Sequence, residues 1–411
     1  MAIIKPFKAI RPIEELVDKI AALPYDVMDS NEAREMVKDN PYSFLHVDKA
    51  EVDLPLSLDV YDEKVYEKAK ENLDGMIEKG YYIEDKKPNY YIYRQTMGSR
   101  SQTGLVACAS IDDYTNNIIK KHELTREDKE IDRINHVYKC EAHTGPIFLT
   151  YRENKEISNI VNEWTKNKPL YDFKAEDEVC HTVWIIDDKN TVIKLQELFN
   201  TVNYLYIADG HHRSASAVKV GHIKRAENSS YSGNEEFNFS LSISYPDSEL
   251  EVLDYNRTVK DLNGLSKEEF LSKVSERFEV IESLEQVKPN EKHTFGMYLE
   301  SKWYLLKAKE GIFNPNDPVE RLDVSILQNN LLKPILGIDD PRTSKRIKFI
   351  GGIRGLKELE RRANTDMKVS FCMYPTTTED IMDIADSGKT MPPKSTWFEP
   401  KPRSGLFIHK F

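Results

Sequence analysis

The chain has 411 residues, of which 39% are hydrophobic and 31% are charged, and its formal net charge is −11. This length and composition are typical of a globular protein with two or three domains. The acidic balance argues against a dedicated nucleic-acid-binding protein, because neutralising phosphates requires a basic surface.

The cysteines and the N-terminus favour a cytoplasmic protein. The 4 cysteines are widely spaced and form no CxxC pair, which argues against a disulfide scaffold or a zinc ribbon. The first residues, MAIIKPFKAIRP, contain no apolar stretch of the signal-peptide kind. No apolar run reaches the roughly 20 residues of a membrane helix, so we expect no membrane partner.

The pattern over 1–160 predicts an N-terminal α/β region. A strand is expected at FKAIRP, followed by a helix that Pro24 ends and a second that begins at the capping-box pattern DSNE. A long helix should cover 59–79 and end at Gly80. YYIYRQ and TGLVACASI predict paired strands. The charged run 121–138 predicts a helix, and GPIFLTY predicts a strand.

Two further regions are expected, 161–260 and 261–411. In the first, the short apolar runs VWIID, YLYIA, FSLSISY and EVLDYN predict strands, and a helix should begin at 214. The second predicts a helix over 267–280, a hairpin in TFGMYLESKWYLLKAK, a helix in VERLDVSILQNNLLKPILG, the strand VSFCMYP, another helix and the last strand GLFIHKF. Together these elements indicate a mixed α/β fold.

The stretch YIADGHHRSASA places an acid, a glycine, two histidines and an arginine between a strand and a helix, at positions 209–213. Adjacent histidines diverge at a strand end, which disfavours a metal site made of His211 and His212. A phosphate site fits better. Gly210 lets backbone N–H groups approach an anion, the helix N-terminus supplies unpaired donors, and Arg213 adds a guanidinium fork. A polar turn without a ligand is the alternative.

Four other stretches carry residues suited to chemistry, and for each the alternative is a solvated surface or loop. LPYDV holds Tyr25 and Asp26, and IKKHELTREDKE holds His122, Glu123 and Arg126 on a predicted helix or its approach. Asp26 and Glu123 are the candidate general bases, and Glu123 is alternatively a Mg²⁺ ligand. MPPKSTWFEPKPRSG and the basic run DPRTSKRIK supply groups for an anion: Lys394, Ser395, Thr396, Arg403 and Arg342.

Eight stretches, in order, resemble the family known as domain of unknown function 1015: LPYDV, NPYSFLHV, HELT, YIADGHHRSASA, LDYNR, LDVSILQNNLLKPILGI, FIGGIRG and MPPKSTWFEPKPRSG. The resemblance runs from about residue 5 to residue 408. Members are sometimes labelled ParB-like or SpoOJ-like, because DGHHR is similar to the phosphate-binding motif of the ParB and sulfiredoxin superfamily. Within that superfamily ParB uses CTP, sulfiredoxin uses ATP, and a free-serine kinase group phosphorylates L-serine.

The resemblance implies a ParB/sulfiredoxin-like nucleotide-binding core with additional α/β elaborations. It implies that 209–213 hold nucleotide phosphates. We further expect Ser214 to bind them, the nucleotide to be ATP or ADP, and Mg²⁺ to be shared with Asp209. A kinase acting on L-serine follows as the expected function. A ParB-like nucleotide switch without turnover and a phosphoserine phosphatase are the alternatives, and a homodimer is left open. The assignments made by chemistry rather than by match are Asp26 and Glu123 as base, Lys394, Ser395 and Thr396 toward the cofactor, and Tyr25, His122, Arg126, Arg342 and Arg403 toward the substrate.

Overall fold

The computed structural model describes all residues from Met1 to Phe411, and the chain divides into two compact units. Unit 1 comprises Met1–Leu250 together with Pro400–Phe411, and unit 2 comprises Glu251–Glu399. The division into three regions stays a prediction of the sequence. No helix of the chain combines the length and the apolarity needed to cross a membrane.

The elements are numbered in chain order. The strands are β1 (Ile4–Lys5), β2 (Ile10–Pro12), β3 (Tyr82–Glu84), β4 (Tyr90–Met97), β5 (Arg100–Ser110), β6 (Ile119–Lys120), β7 (Ala142–His143), β8 (Ile147–Tyr151), β9 (Tyr171–Lys174), β10 (Cys180–Ile186), β11 (Leu205–Asp209), β12 (Phe239–Pro246), β13 (Tyr255–Val259), β14 (Phe278–Ser283), β15 (Thr294–Leu299), β16 (Lys302–Ala308), β17 (Ile347–Gly351), β18 (Val369–Met373) and β19 (His409–Lys410). The α-helices are α1 (Val17–Ile20), α2 (Ser30–Val37), α3 (Leu45–Asp48), α4 (Glu63–Glu78), α5 (Ile111–Thr115), α6 (Glu127–Cys140), α7 (Lys155–Trp164), α8 (Lys189–Phe199), α9 (His211–Glu227), α10 (Lys267–Arg277), α11 (Asp323–Leu327), α12 (Gly355–Thr365) and α13 (Thr378–Asp386). Short 3₁₀ turns cover Glu14–Leu16, Tyr25–Val27, Ala50–Asp53, Glu236–Asn238, Asp247–Glu249 and Gly352–Arg354, and a π-helical turn covers Gln328–Leu332.

Unit 1 is built on a mixed sheet of 9 strands, in the order β6-β11-β8-β12-β5-β4-β10-β9 with β1 paired to β5. β11 runs parallel to β6, and β12 runs parallel to β8. The remaining pairs are antiparallel. The mixed α/β fold class is therefore confirmed. Because β6 and β11 are parallel neighbours, the segments that follow them leave the sheet at the same edge.

The central strands of this sheet are buried on both faces. In β5 every residue from Gln102 onward is buried, and so is every residue of β8. Such strands appear in the sequence as continuous apolar runs rather than as alternating ones. One face packs in a core that includes Ile92, Leu149 and Ile207, and it is covered in part by α7 and α8.

Unit 2 contains an antiparallel sheet of 6 strands, in the order β14-β16-β15-β18-β13-β17. The predicted hairpin is present as β15 and β16, which pair from Leu299 opposite Lys302. Its two turn residues, Glu300 and Ser301, have φ values of 47° and 62°. Two adjacent left-handed residues form the tight turn whose twist matches the flanking strands.

Several predicted elements are wrong in their bounds. The helix expected over 267–280 ends at Arg277, and the last strand covers only His409–Lys410. The charged helix begins at Glu127 rather than at 121. Arg126, just before it, is extended, and its N–H donates to the His212 side chain. The helix expected in VERLDVSILQNNLLKPILG is only α11 followed by the π-helical turn. The strand expected in EVLDYN begins at Tyr255 and continues to Val259.

Candidate functional site

The turn between β11 and α9 is shaped by Gly210, which has φ 87° and ψ 36°. This left-handed conformation is costly for residues that carry a Cβ. α9 begins directly afterwards at His211 and has no side-chain cap. A long uncapped helix presents its first N–H groups and the positive end of its dipole at that point. The turn has the backbone form of an anion site.

Arg213 lies in the first turn of α9 with its guanidinium directed at this bend. Its Nη1 donates to the carbonyl of Pro146 at 2.5 Å, and its Nη2 lies 3.8 Å from Oδ2 of Asp26. Its Nε is buried and has no hydrogen-bond partner. Burial lowers the pKa of this guanidinium, but the charges of Asp26 and Asp209 outweigh the effect and raise it. A fixed cation therefore retains one unsatisfied donor at the turn.

Asp209, the last residue of β11, forms an ion pair with the C-terminal segment of unit 1. Its Oδ2 lies 2.8 Å from Nζ of Lys401. Burial raises the pKa of the Asp209 carboxyl, but Lys401 and Arg213 lower it to well below its usual range. A carboxylate of this kind suits Mg²⁺ that is shared with phosphates. Oδ2 is already paired with the Lys401 ammonium, and the role of Asp209 toward Mg²⁺ stays a prediction.

HELT lies beside the turn because it follows β6, the parallel neighbour of β11. The rings of His122 and His211 are 4.5 Å apart, edge to face. Both side chains are buried, and neither ring nitrogen of His122 has a hydrogen-bond partner, nor has Nε2 of His211. Burial lowers the pKa of His122 to about 4, and it keeps the pKa of His211 well below its usual value. Two neutral imidazoles therefore face each other at this edge.

Glu123 completes a set of donors that could hold a cation. One ligand atom from each of His122, Glu123 and His211 lies within 4.8 Å of the others. The Glu123 side chain is 55% exposed, so it can rotate toward the imidazoles. Two imidazoles with one carboxylate suit divalent transition metals better than Mg²⁺, which prefers oxygen ligands. These three residues do not include Asp209, which the sequence predicts as a metal ligand.

His212 and Arg126 meet across the turn through the backbone. The N–H of Arg126 donates to Nε2 of His212 at 3.0 Å. A neutral ring that accepts at Nε2 carries its proton on Nδ1, so His212 retains one ring donor. The Arg126 guanidinium is 71% exposed and pairs with Asp128 at 2.8 Å. Its predicted role toward a substrate stays a prediction.

Tyr25 and Asp26 approach Arg213 from the LPYDV segment, within the 3₁₀ turn after Pro24. The Asp26 side chain is 36% exposed. The Tyr25 ring lies under the Arg133 guanidinium, 4.0 Å from its centroid, and burial raises the pKa of the phenol. Asp26 is therefore an accessible carboxylate beside Arg213, whose side chain is only 12% exposed.

The other predicted residues of unit 1 are used in packing. Ser214 is buried, and its N–H donates to the Gly210 carbonyl at 2.9 Å. Arg403 is also buried, and it donates to Asp177 at 2.5 Å and to Nε2 of His181 at 3.3 Å. A role of Arg403 toward the substrate stays a prediction.

Lys394, Ser395, Thr396 and Arg342 belong to unit 2. The Ser395 hydroxyl is buried and donates to the Pro392 carbonyl at 2.6 Å, while Lys394 is exposed and Thr396 is half-buried. Arg342 is exposed and pairs with Asp340 at 2.8 Å. Their predicted roles toward a cofactor and a substrate stay predictions.

Sequence reasoning gave no site role to Lys401 or to the buried Asp48. Lys401 stands in the KPRSG part of a stretch that was singled out, but nothing local pairs it with Asp209. Asp48, directly after the NPYSFLHV stretch, accepts from the Thr144 hydroxyl at 2.7 Å and adds negative charge near Arg213. The stretch MPPKSTWFEPKPRSG was the signal that could have pointed to Lys401, whereas Asp48 lies just outside the family stretches.

Comparisons with known proteins identify a family but no close relative. The family described as "Protein of unknown function (DUF1015)" matches residues 4–325, and no curated protein matches the chain. Solved structures share little sequence. A free serine kinase in complex with AMP is 15% identical, covers 74% of this chain and 91% of its own, and has a TM-score of 0.37.

Two others give similar values. A conserved hypothetical protein from Pyrococcus furiosus is 15% identical, covers 74% of this chain and 94% of its own, and has a TM-score of 0.35. SbnI with a C-terminal truncation, from Staphylococcus aureus, is 9% identical, covers 74% of this chain and 86% of its own, and has a TM-score of 0.39. Likeness at this level carries no argument about activity.

Proposed function

This chain belongs to the DUF1015 family, and we propose that it is a nucleotide-dependent small-molecule kinase that phosphorylates free L-serine to O-phosphoserine. The observation that carries the proposal is Arg213, a cation only 12% exposed whose Nε lacks a hydrogen-bond partner, beside the uncapped start of α9. Phosphoryl transfer depends chiefly on positioned phosphates and neutralised charge. The turn supplies donors and positive charge for both.

The nucleotide, ATP or ADP, binds with its phosphates at 210–213. Backbone N–H groups of the first turn donate to phosphate oxygens, and the Arg213 fork neutralises their charge. Asp26 is too far from Arg213 for a hydrogen bond, at 3.8 Å, so a phosphate can take the donor without breaking a tight ion pair. The resemblance of DGHHR to the ParB and sulfiredoxin phosphate motif supports the same arrangement.

A carboxylate takes the proton as the serine hydroxyl oxygen attacks the terminal phosphorus. The new P–O bond forms as the bond to the leaving phosphate breaks, and the proton passes to the base. Asp26 is one candidate, because it stands beside Arg213. Glu123 is the other, because it lies 3.8 Å from Nδ1 of His211. A divalent cation, when bound, neutralises charge on the phosphates.

The assay that tests this function measures products by mass. The full chain is incubated with ATP or with ADP, with L-serine, and with L-alanine as the acceptor that lacks a hydroxyl. Mg²⁺ and Mn²⁺ are compared, and EDTA serves as the metal-free control. We expect O-phosphoserine only with L-serine. Release of phosphate from O-phosphoserine without nucleotide would indicate a phosphatase, and nucleotide binding without products would indicate a switch.

Two variants separate the candidate bases. We expect either Asp26→Asn or Glu123→Gln to lower kcat by about 10²-fold or more, the usual contribution of a general base, while the affinity for nucleotide changes little. The other variant serves as its control. If both variants keep the rate of the unmodified chain, neither acid is the base.

A further inference from the structure

Unit 2 contains a buried arginine whose charge has no carboxylate partner. Arg257, on β13, is 4% exposed. Its Nη2 donates to the Lys394 carbonyl at 2.9 Å, and its Nη1 donates to the Tyr255 carbonyl. The guanidinium lies 5.4 Å from the centroid of the Phe349 ring on the neighbouring strand. These partners are neutral, so the full charge is buried uncompensated.

A buried cation without a counter-charge is costly. Desolvation of a charged side chain takes several kcal/mol, which neutral acceptors only partly restore. Burial accordingly lowers the pKa of Arg257 to about 10. Other buried arginines of the chain are compensated: Arg133 pairs with Asp132 at 3.0 Å, and Arg403 pairs with Asp177. Arg257 departs from this pattern.

Arg257 opens into a cavity of about 450 Å³ within unit 2. The walls are apolar on several sides, and the other polar lining residues are Gln328, Asp339, Asp340 and Arg342. The Arg342 guanidinium is already paired with Asp340, at 2.8 Å. The apolar lining residues are Val324, Leu332, Pro341, Ile347, Phe349, Pro392 and Pro393. The volume lies within the range of small-molecule sites, and such sites combine apolar walls with a few fixed polar groups.

We propose that this cavity binds a small organic anion, whose carboxylate or phosphate group pairs with Arg257 and whose apolar body packs against Phe349, Pro392 and Pro393. The fork of a guanidinium matches the oxygens of either group. Because the site lies within unit 2, the proposal goes beyond the kinase function and does not rest on it. If no nucleotide binds at 210–213, an anion can still bind in this cavity. Equally, nucleotide can bind there when the cavity binds no anion.

The experiment uses three probes of one shape with the full chain. Benzoate carries a carboxylate, phenyl phosphate carries a phosphate, and benzamide is the neutral counterpart of benzoate. Binding is measured by calorimetry for the unmodified chain, for Arg257→Lys and Arg257→Met, and for Arg354→Met as a control. Arg354 is exposed and is not among the residues that line the cavity.

We expect one or both anions to bind more tightly than benzamide. Arg257→Lys should reduce the affinity for the anion about tenfold or more, the loss expected for a charge-assisted hydrogen bond, and Arg257→Met should abolish the preference over benzamide. Arg354→Met should behave like the unmodified chain. Thermal unfolding confirms that each variant is folded. Preference for phenyl phosphate identifies the group as phosphate, and preference for benzoate identifies it as carboxylate.

Three results would overturn the proposal. One is equal affinity for benzamide and benzoate, which would make the cavity merely apolar. Another is an anion preference that survives in the folded Arg257→Lys and Arg257→Met variants. The third is the absence of binding by either anion, which would leave Arg257 a structural donor to its two carbonyls.

Discussion

His122 is a buried residue whose ring nitrogens have no hydrogen-bond partner. Its exposure is 1%, and both ring nitrogens lack partners. An unsatisfied buried polar group costs about 1–3 kcal/mol. Such a residue is retained where a ligand, an ion or a reaction uses it. His122 is therefore more informative about the site than the exposed charges around it.

The pH dependence of stability tests this environment. The pKa of His122 falls from 6.5 in the unfolded chain to about 4 in the folded chain, because of burial. Between these values the unfolded chain binds a proton that the folded chain does not, so stability is full above about pH 6.5 and is lost as the pH falls toward 4. We expect His122→Asn to show a flatter decline in unfolding free energy over this interval, by about 1–3 kcal/mol.

The control is His222→Asn, which removes an exposed histidine of α9. It should leave the decline unchanged. The free energy of unfolding of the unmodified chain and of both variants is measured by denaturant unfolding at steps from pH 7.5 to 4. If the unfolding free energy falls equally with pH in His122→Asn and in the unmodified chain, the prediction that burial lowers the pKa of His122 is wrong.

The sequence identified the residues of the turn but not the partners that control them. Asp209 and Lys401 are 192 residues apart, and His122 and His211 belong to two separate stretches. Local sequence patterns cannot predict such pairs, because the spacing of residues indicates neighbours only within one helix or strand. The residue types at 209–213 predict an anion site, since glycine and a following helix have the same properties in any fold, and that site stays a prediction.

At the scale of elements, strong patterns were predicted well and short ones were missed. The helix expected at 59–79 is α4, and the paired strands and the hairpin are present. β6 has only two residues, too few for any periodic signal, yet its parallel pairing with β11 brings HELT to the turn. The helix expected from 214 begins earlier, at His211, because Gly210 permits the abrupt change from strand to helix.

Gly210→Ala tests this turn. A Cβ at φ 87° is strained, and it would lie 3.3 Å from Nε of Arg213. We expect a loss of stability of about 1–2 kcal/mol and a weaker affinity for ADP, because the guanidinium is displaced. Thermal unfolding and calorimetry measure the two effects.

Gly233→Ala is the matched control. Gly233 has φ 91°, but nothing lies within 4 Å of the Cβ that alanine would add. It should lose similar stability and keep the affinity for ADP. Equal ADP affinities in the two variants would contradict the role of the 210 turn.

At the scale of the whole molecule, the chain leaves unit 1 after Leu250 and returns to it at Pro400. The returning segment pairs with the N-terminal region, where Ile408 forms a bridge with Ile10. It also brings Lys401 to Asp209. Folding of unit 1 therefore requires contacts between the two ends of the sequence, which form slowly relative to local ones.

The variant Lys401→Met removes the ammonium that pairs with Asp209 and leaves the rest of the C-terminal segment unchanged. We expect the free energy of unfolding to fall by about 1–2 kcal/mol. This is less than for a fully buried ion pair, because the Asp209 side chain is 28% exposed. The affinity for ADP should fall as well, since Asp209 then repels the phosphates. Lys410→Met, at an exposed lysine 3.6 Å from Asp74, is the control and should bind ADP normally. If the two variants bind ADP equally, Lys401 has only a structural role.

The most direct test of the phosphate turn compares ADP with adenosine, by calorimetry, on the unmodified chain and on Arg213→Met. If the phosphates bind at 210–213, the unmodified chain prefers ADP over adenosine by about tenfold or more, and the variant loses most of that preference while adenosine affinity is kept. An ADP preference that is undiminished in a folded Arg213→Met chain would contradict the account.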